Sequence, residues 1–123
     1  MSQSRFLFFA AVAGFLGVAM GAFGAHGLKH ILSGHDLDIY KTAVHYQMWH
    51  ALLLALLAVL PKQRLLTWAA WLLIAGMVLF SGSLYLLAIF RLAWLGMITP
   101  LGGVAFLSAW GLLAFVAFEH QRN

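Results

Sequence analysis

The chain contains no cysteine, only two prolines among 123 residues, and ten formally charged side chains, 8% of the total. The missing cysteine excludes disulfides, thiolate metal centres and cysteine nucleophiles. The scarcity of charge excludes a soluble globule, because such a domain carries roughly 25% charged residues to cover its surface. What takes their place is apolar: 64% of residues are hydrophobic and 15% are aromatic. The formal charge of +4 comes from single Lys and Arg residues scattered along the chain. It forms no stripe that could follow a phosphate backbone, so nucleic acid is not an expected partner. The lipid bilayer is.

The charged residues separate four apolar stretches, residues 6–28, 42–61, 65–90 and 92–118, none of which contains Lys, Arg, Asp or Glu apart from Arg91 between the last two. A helix rises about 1.5 Å per residue and the hydrocarbon layer is about 30 Å thick, so each stretch can cross it, and only helices satisfy the backbone there. The fold class expected is all-α, a four-helix antiparallel transmembrane bundle forming one domain over residues 1–123. Its helices are placed at about 6–27, 39–60, 66–90 and 99–118, with an extramembrane loop at about 28–38. Asp36 or Asp38 is expected to start the second helix. Pro61 with Lys62 and Arg64 ends it, and Thr99 before Pro100 reads as an N-cap. Arg5, the apolar run and the small residues Ala22, Gly24 and Ala25 also resemble a secretory signal. The segment is read as a retained anchor. Four passes put Arg5, Lys62, Arg64 and Arg122 on one side and Lys29, Lys41 and Arg91 on the other. The excess of basic residues places both termini in the cytoplasm.

Lipid supplies no hydrophobic force between helices, so small residues that let backbones approach must hold the bundle. Gly14, Gly17, Gly21 and Gly24 recur at spacings of three and four and share one face of the first helix. Gly17 and Gly21 make a GxxxG pair, read first as packing within the chain and second as a homodimer surface. Gly102 and Gly103 offer a comparable thin face on the last helix.

Polar side chains inside the membrane are costly and mark candidate sites. Antiparallel topology gathers them in one leaflet: His26, His45, Tyr46, Gln47, His50, Ser81, Ser83, Tyr85 and Thr99. Spacings of three to four put Tyr46 and His50 on one face of helix two, and Ser81 and Tyr85 on one face of helix three. The expected inward cluster is His26, Tyr46, His50, Ser81 and Tyr85. Three readings are open for it: interhelical hydrogen bonding, a ligand or proton site using His26 and His50, and histidine ligation of a metal or haem. His45 and His50 differ by about 140° around the helix and cannot share one ion comfortably. No catalytic, cofactor or metal residue is assigned, and no nucleophile elbow, glycine loop or HExxH is present.

The segments Gly21-Ala-Phe-Gly-Ala-His-Gly-Leu28, Tyr46 with His50-Ala-Leu52, Phe80-Ser-Gly-Ser-Leu-Tyr85 and Thr99-Pro-Leu-Gly-Gly103 occur in an order that resembles the YgdD-like family of small bacterial inner-membrane proteins. The resemblance spans essentially the whole chain. It implies a four-helix integral inner-membrane protein and carries over no catalytic residue. It also suggests that Gly24 and Gly27 let another segment approach the His26 imidazole. The functional expectation is a non-enzymatic accessory or scaffold protein binding a membrane partner or lipid, with a small transporter as the alternative.

Overall fold

The computed structural model describes residues 2–122, and among these it is helical with no strand. Helix α1 runs Ser2–His26, α2 Gly34–Val59, α3 Arg64–Gly76, α4 Gly82–Phe90 and α5 Thr99–Arg122. Helices α3 and α4 are joined without a break through a π-helical segment, Met77–Ser81, into one span, Arg64–Phe90. Four spans are therefore long and apolar enough to cross a membrane.

The second helix begins earlier than its sequence suggests. Ser33 is the cap, its hydroxyl accepting from the Asp36 backbone N–H at 3.1 Å, and neither Asp36 nor Asp38 fills that role. The intervening 28–38 region shrinks to a 3-10 turn at Leu28–His30 and three linking residues. Asp36 is instead a buried carboxylate that pairs with Arg91 Nε at 3.2 Å. Thr99 likewise is no simple cap: its hydroxyl meets Ser83 Oγ at 2.5 Å and lies 3.3 Å from the Leu95 carbonyl, tying the end of the third span to the start of α5.

Arg91 ends α4 in the left-handed region at φ 57. Glycine adopts that backbone without a Cβ penalty of about 1 kcal/mol, but loss of the guanidinium leaves the Asp36 carboxylate, whose side chain is 12% exposed, without its partner. Both Arg91→Gly and Arg91→Val lose that pair, so the difference between them reports the backbone: Arg91→Val, β-branched at positive φ, is expected to lower the unfolding free energy by about 1 kcal/mol or more beyond Arg91→Gly. Denaturant titration in detergent measures both.

Helix α2 is central, with α1 against one side and the α3–α4 span against another, and α5 packs on that span. Its buried positions, Asp36, Tyr40, Ala43, Gln47, His50 and Leu54, step by three and four along one seam. One half of the bundle is filled by Phe6, Ala10, Leu53, Leu54, Leu57, Leu66, Ala69, Ala70 and Leu73 with Phe106 and Ala109. Ser81, Ser83 and Gln47 are buried in the other. In the third span the buried residues step 66, 69, 73, 76 and then jump five to Ser81. The extra residue of the π turn accounts for that step. It keeps Ser81 facing α2, where its hydroxyl donates to the Ala43 carbonyl at 2.8 Å, and leaves Phe80 against α5.

The glycine faces divide. Gly17, Gly21 and Gly24 meet Met48, Val44 and Tyr40 of α2, while a Cβ at Gly14 would meet nothing within 4 Å. Gly17 and Gly24 do more than thin the helix. Each stands four residues after a carbonyl that a side chain of α2 reaches: Gln47 Nε2 donates to Ala13 O at 2.8 Å, and the Tyr40 hydroxyl to Met20 O at 2.5 Å. A side chain at i+4 leans over the carbonyl of residue i, so glycine there leaves the oxygen open for a second bond. On α5, a Cβ at Gly102 would strike the Phe80 backbone, whereas one at Gly103 would sit 4.0 Å from the Phe80 ring.

Candidate functional site

The residues of the expected cluster fall into three places. Ser81 and Tyr85 lie on the α2–α4 seam, where Ser81 bonds Ala43 O and the Tyr85 hydroxyl donates to Gln47 Oε1 at 2.6 Å. Gln47 in turn reaches α1, so one amide joins three helices, and the Tyr40 and Tyr85 rings meet edge to face at 5.3 Å beside it. His50, at the edge of the same α2 seam, and Tyr46 beside it turn toward α5. His26 joins neither group. It is exposed at the end of α1, next to the turn in which Gly24 faces Tyr40. His50 is ten residues beyond Tyr40, roughly 15 Å along the axis.

The segment expected to approach the His26 imidazole goes elsewhere. Gly24 admits the Tyr40 ring, and a Cβ at Gly27 would touch Phe23. Residues 24 and 26 differ by about 200° on a helix, so the face that Gly24 opens points away from His26.

Around His50 the geometry is closely specified. Nδ1 stands 2.7 Å from the Tyr46 carbonyl oxygen, and Trp110 Nε1 stands 3.1 Å from Nε2. A carbonyl only accepts and an indole N–H only donates. The imidazole is therefore neutral, with its proton on Nδ1 and a bare Nε2 accepting from Trp110. Its ring stacks on Phe106 with centroids 3.7 Å apart and 10° between planes. Tyr46 stacks on the same imidazole at 5.9 Å and against Phe80 at 4.5 Å. His50 lies 16 residues into α2 and Trp110 lies 11 residues into α5, so the pair sits well inside both candidate membrane spans.

These side chains form the wall of a groove. Helices α2 and α5 both lean on the α3–α4 span, while their own backbones stay apart and meet through the His50, Phe106 and Trp110 side chains. Between them is a cavity of about 640 Å³ lined by Tyr46, Trp49, His50, Phe80, Phe106 and Trp110, with Leu52, Gly103 and Leu107. Leu52 and Leu107 are about two-thirds and three-quarters exposed, so the groove opens sideways, toward lipid. Gly103 leaves it wide, and the π turn leaves Phe80 at its back wall. Such turns in otherwise regular helices are frequent at functional sites.

Trp110, Phe106 and Gln47 are the participants that the sequence reading left out of the cluster. Trp110 carries a usable signal: an indole at mid-span needs a partner for its N–H, and His50 is the acceptor at matching depth. Among the described residues no three His, Asp or Glu side chains stand close enough to hold a metal ion. No buried side-chain nitrogen or oxygen among them lacks a hydrogen-bond partner.

Four apolar spans in antiparallel succession, with polar side chains satisfied inside the bundle and a groove facing lipid, define a multi-pass integral membrane protein. The family described as "Protein of unknown function (DUF423)" matches residues 20–103. The chain belongs to this family, whose relatives carry the designation UPF0382. It is 43% identical over 119 residues to the UPF0382 membrane protein YwdK of Bacillus subtilis, covering 94% of this chain and 97% of the relative. It is 43% identical over 124 residues to the UPF0382 inner membrane protein YgdD of Escherichia coli K12, covering 98% and 95%. Identity to the Staphylococcus aureus membrane protein SAB0533 is 40% over 116 residues, covering 93% and 95%. No solved structure matches the chain.

Proposed function

We propose that this protein is a non-enzymatic accessory protein of the inner membrane, with both termini in the cytoplasm, that works by holding a bilayer-resident lipid in the α2–α5 groove. The observation that carries this reading is the groove itself. It measures about 640 Å³, opens sideways, and is lined by aromatic rings at the depth of the hydrocarbon. Pockets of roughly 300–1,000 Å³ lined by apolar and aromatic side chains with a few placed polar groups are the usual form of small-molecule sites. The non-enzymatic reading is supported by the placement of the carboxylates. Asp36 is paired with Arg91 and Glu119 with Arg122, and Asp38 lies near the start of α2, far from the groove. Transport coupled through His26 and His50 has less support, since both ring nitrogens of His50 are engaged and His26 lies at the membrane edge.

The test fills the groove. Gly103 lines it, and a Cβ there is barely in contact with Phe80, so Gly103→Leu occupies the space without striking a backbone. After mild detergent extraction and native mass spectrometry, the parent is expected to retain bound lipid and Gly103→Leu to lose it severalfold at unchanged unfolding temperature. Equal retention by both would overturn the reading.

A second reading, self-association, is favoured by a separate trough on the outer face of α1 and α2. It holds about 590 Å³ and is lined by small residues including Ala10, Ala11, Gly14, Ala51 and Ala55. Gly14 is the member of the first-helix glycine stripe with nothing packed on it. Because the chain lacks cysteine, Gly14→Cys supplies a single cross-linking site for this surface.

A further inference from the structure

We infer that the α2–α5 groove selects a hydroxyl-bearing apolar molecule, whose O–H inserts between Trp110 Nε1 and His50 Nε2. This inference deepens the lipid-holding reading above and rests on it.

The argument begins with what the two groups can do. Trp110 Nε1 is a donor with no acceptor capacity, and His50 Nε2, with the ring proton held on Nδ1 by the Tyr46 carbonyl, is an acceptor with no proton. Each now satisfies the other at 3.1 Å on the wall of the cavity. A ligand head that parts them must replace both halves of that bond or strand one group in a low-dielectric site. A ketone, ester or ether oxygen accepts from the indole and leaves Nε2 bare. An ammonium donates to Nε2 and leaves the indole N–H without a partner. A hydroxyl oxygen does both, accepting from Trp110 and donating to His50, so one bond becomes two and nothing is stranded.

Depth makes the selection sharper. In surrounding lipid a hydroxyl at mid-membrane finds no partner and moves to the interface. The Trp110–His50 pair is a place well inside the spans where such a head is fully bonded. The setting favours an aromatic body beside that hydroxyl, because Tyr46, Trp49, Phe80, Phe106 and Trp110 all line the cavity and aromatic pairs gain about 0.5–1.5 kcal/mol beyond simple burial. Phenolic lipids and long-chain alcohols share the required chemistry, and the aromatic lining ranks the phenols first.

The apolar trough of α1 and α2 provides an internal control. It is of similar size, about 590 Å³, and its lining includes no hydrogen-bonding side chain. A site of that kind has no means of distinguishing a hydroxyl from its ether.

The experiment uses the full chain in liposomes with four photoreactive probes bearing a diazirine in the alkyl chain: a 4-alkylphenol, its methyl ether, a 1-alkanol, and the alkanol's methyl ether. Labelling of the α5 peptide containing residues 103–110, none of which lines the trough, is divided by labelling of the trough peptide, residues 7–19. The expected result is a ratio about tenfold higher for each hydroxyl probe than for its ether, with the phenol above the alkanol, since about 1.4 kcal/mol of stranded hydrogen bonding corresponds to tenfold. His50→Phe is expected to bring the hydroxyl and ether ratios together while groove labelling persists, because the indole N–H left behind is served equally by either oxygen, whereas Trp110→Phe is expected to keep a hydroxyl preference, because the bare Nε2 still needs a donor that an ether lacks. Hydroxyl and ether probes that label the parent groove equally would overturn the selection while leaving the lipid-holding reading in place. A groove that no probe labels above the trough would overturn both. A hydroxyl preference retained in His50→Phe, or lost in Trp110→Phe, would show that another group reads the head, and would also overturn the inference.

Discussion

Gly102→Ala is expected to destabilise the bundle by about 2–3 kcal/mol or more, the cost of overpacking a tight contact, while Gly103→Ala changes it by less than about 0.5 kcal/mol. The two glycines are adjacent and equivalent in sequence, yet the α5 face that carries Gly102 lies directly on the third span. A Cβ at position 102 would come within 2.8 Å of Phe80 Cα and would meet the Phe80 backbone nitrogen. Backbone cannot rotate out of the way as the far end of a side chain can. Gly17 makes the contrast, since the atom a Cβ would meet there is the Met48 sulfur, on a flexible chain that can re-pack. The contact at Gly102 is also made within the π turn, so the strain falls on the segment with the least regular hydrogen bonding in the span. Unfolding of the three alanine variants in SDS–detergent mixtures measures the order: Gly102 most destabilised, Gly17 intermediate, Gly103 near the parent. Equal effects at 102 and 103 would mean that α5 does not rest on the π turn.

Much of this architecture was readable from residue types, because lipid imposes so few solutions. Long uncharged stretches can only be helices there, and short links force antiparallel neighbours, so four spans and a single polar leaflet follow from the placement of charge. Small residues at Gly17, Gly21 and Gly24 announce a close helix neighbour. Their second use, opening the Ala13 and Met20 carbonyls to Gln47 and Tyr40, depends on which side chain of α2 stands opposite, and that is a question of register. Ser33, Asp36 and Asp38 are all good caps, so residue type alone does not single out the start of α2. Asp36 was needed elsewhere, for Arg91. The π turn left no pattern to read: a single inserted residue shifts the buried phase by about 100°, and a stretch as uniformly apolar as 72–80 shows no phase. The expected cluster divides on α2 itself, where Gln47 meets Tyr85 while Tyr46 and His50 turn toward Phe80, Phe106 and Trp110. His50 was visible as an expensive mid-membrane histidine. Its partner was not, because Trp110 reads as one more apolar residue unless its N–H is counted as a donor in need of an acceptor.

Gln47→Leu is expected to cost about 1–3 kcal/mol, and Gln47→Leu combined with Tyr85→Phe to cost less than the sum of the two single changes. The reason lies in what each change strands. The Gln47 amide uses both ends, accepting from the Tyr85 hydroxyl at 2.6 Å and donating to Ala13 O at 2.8 Å. Leucine has similar volume and suits the apolar surroundings, so packing changes little, but the half-buried Tyr85 hydroxyl then has no acceptor. A stranded hydroxyl in a low-dielectric interior costs more than the hydrogen bond itself was worth. The Ala13 carbonyl suffers less, since its bond within α1 remains. Tyr85→Phe removes the stranded group and restores part of the loss, which is the signature of coupled rather than independent sites. Interhelical hydrogen bonds in membranes average about 0.6 kcal/mol because the unfolded chain also finds partners in lipid. A cycle giving a coupling near that value would describe an ordinary pair. A larger coupling would mark Gln47 as the joint that sets α1, α2 and α4 against one another, and with them the side of α2 that is left free to face the groove.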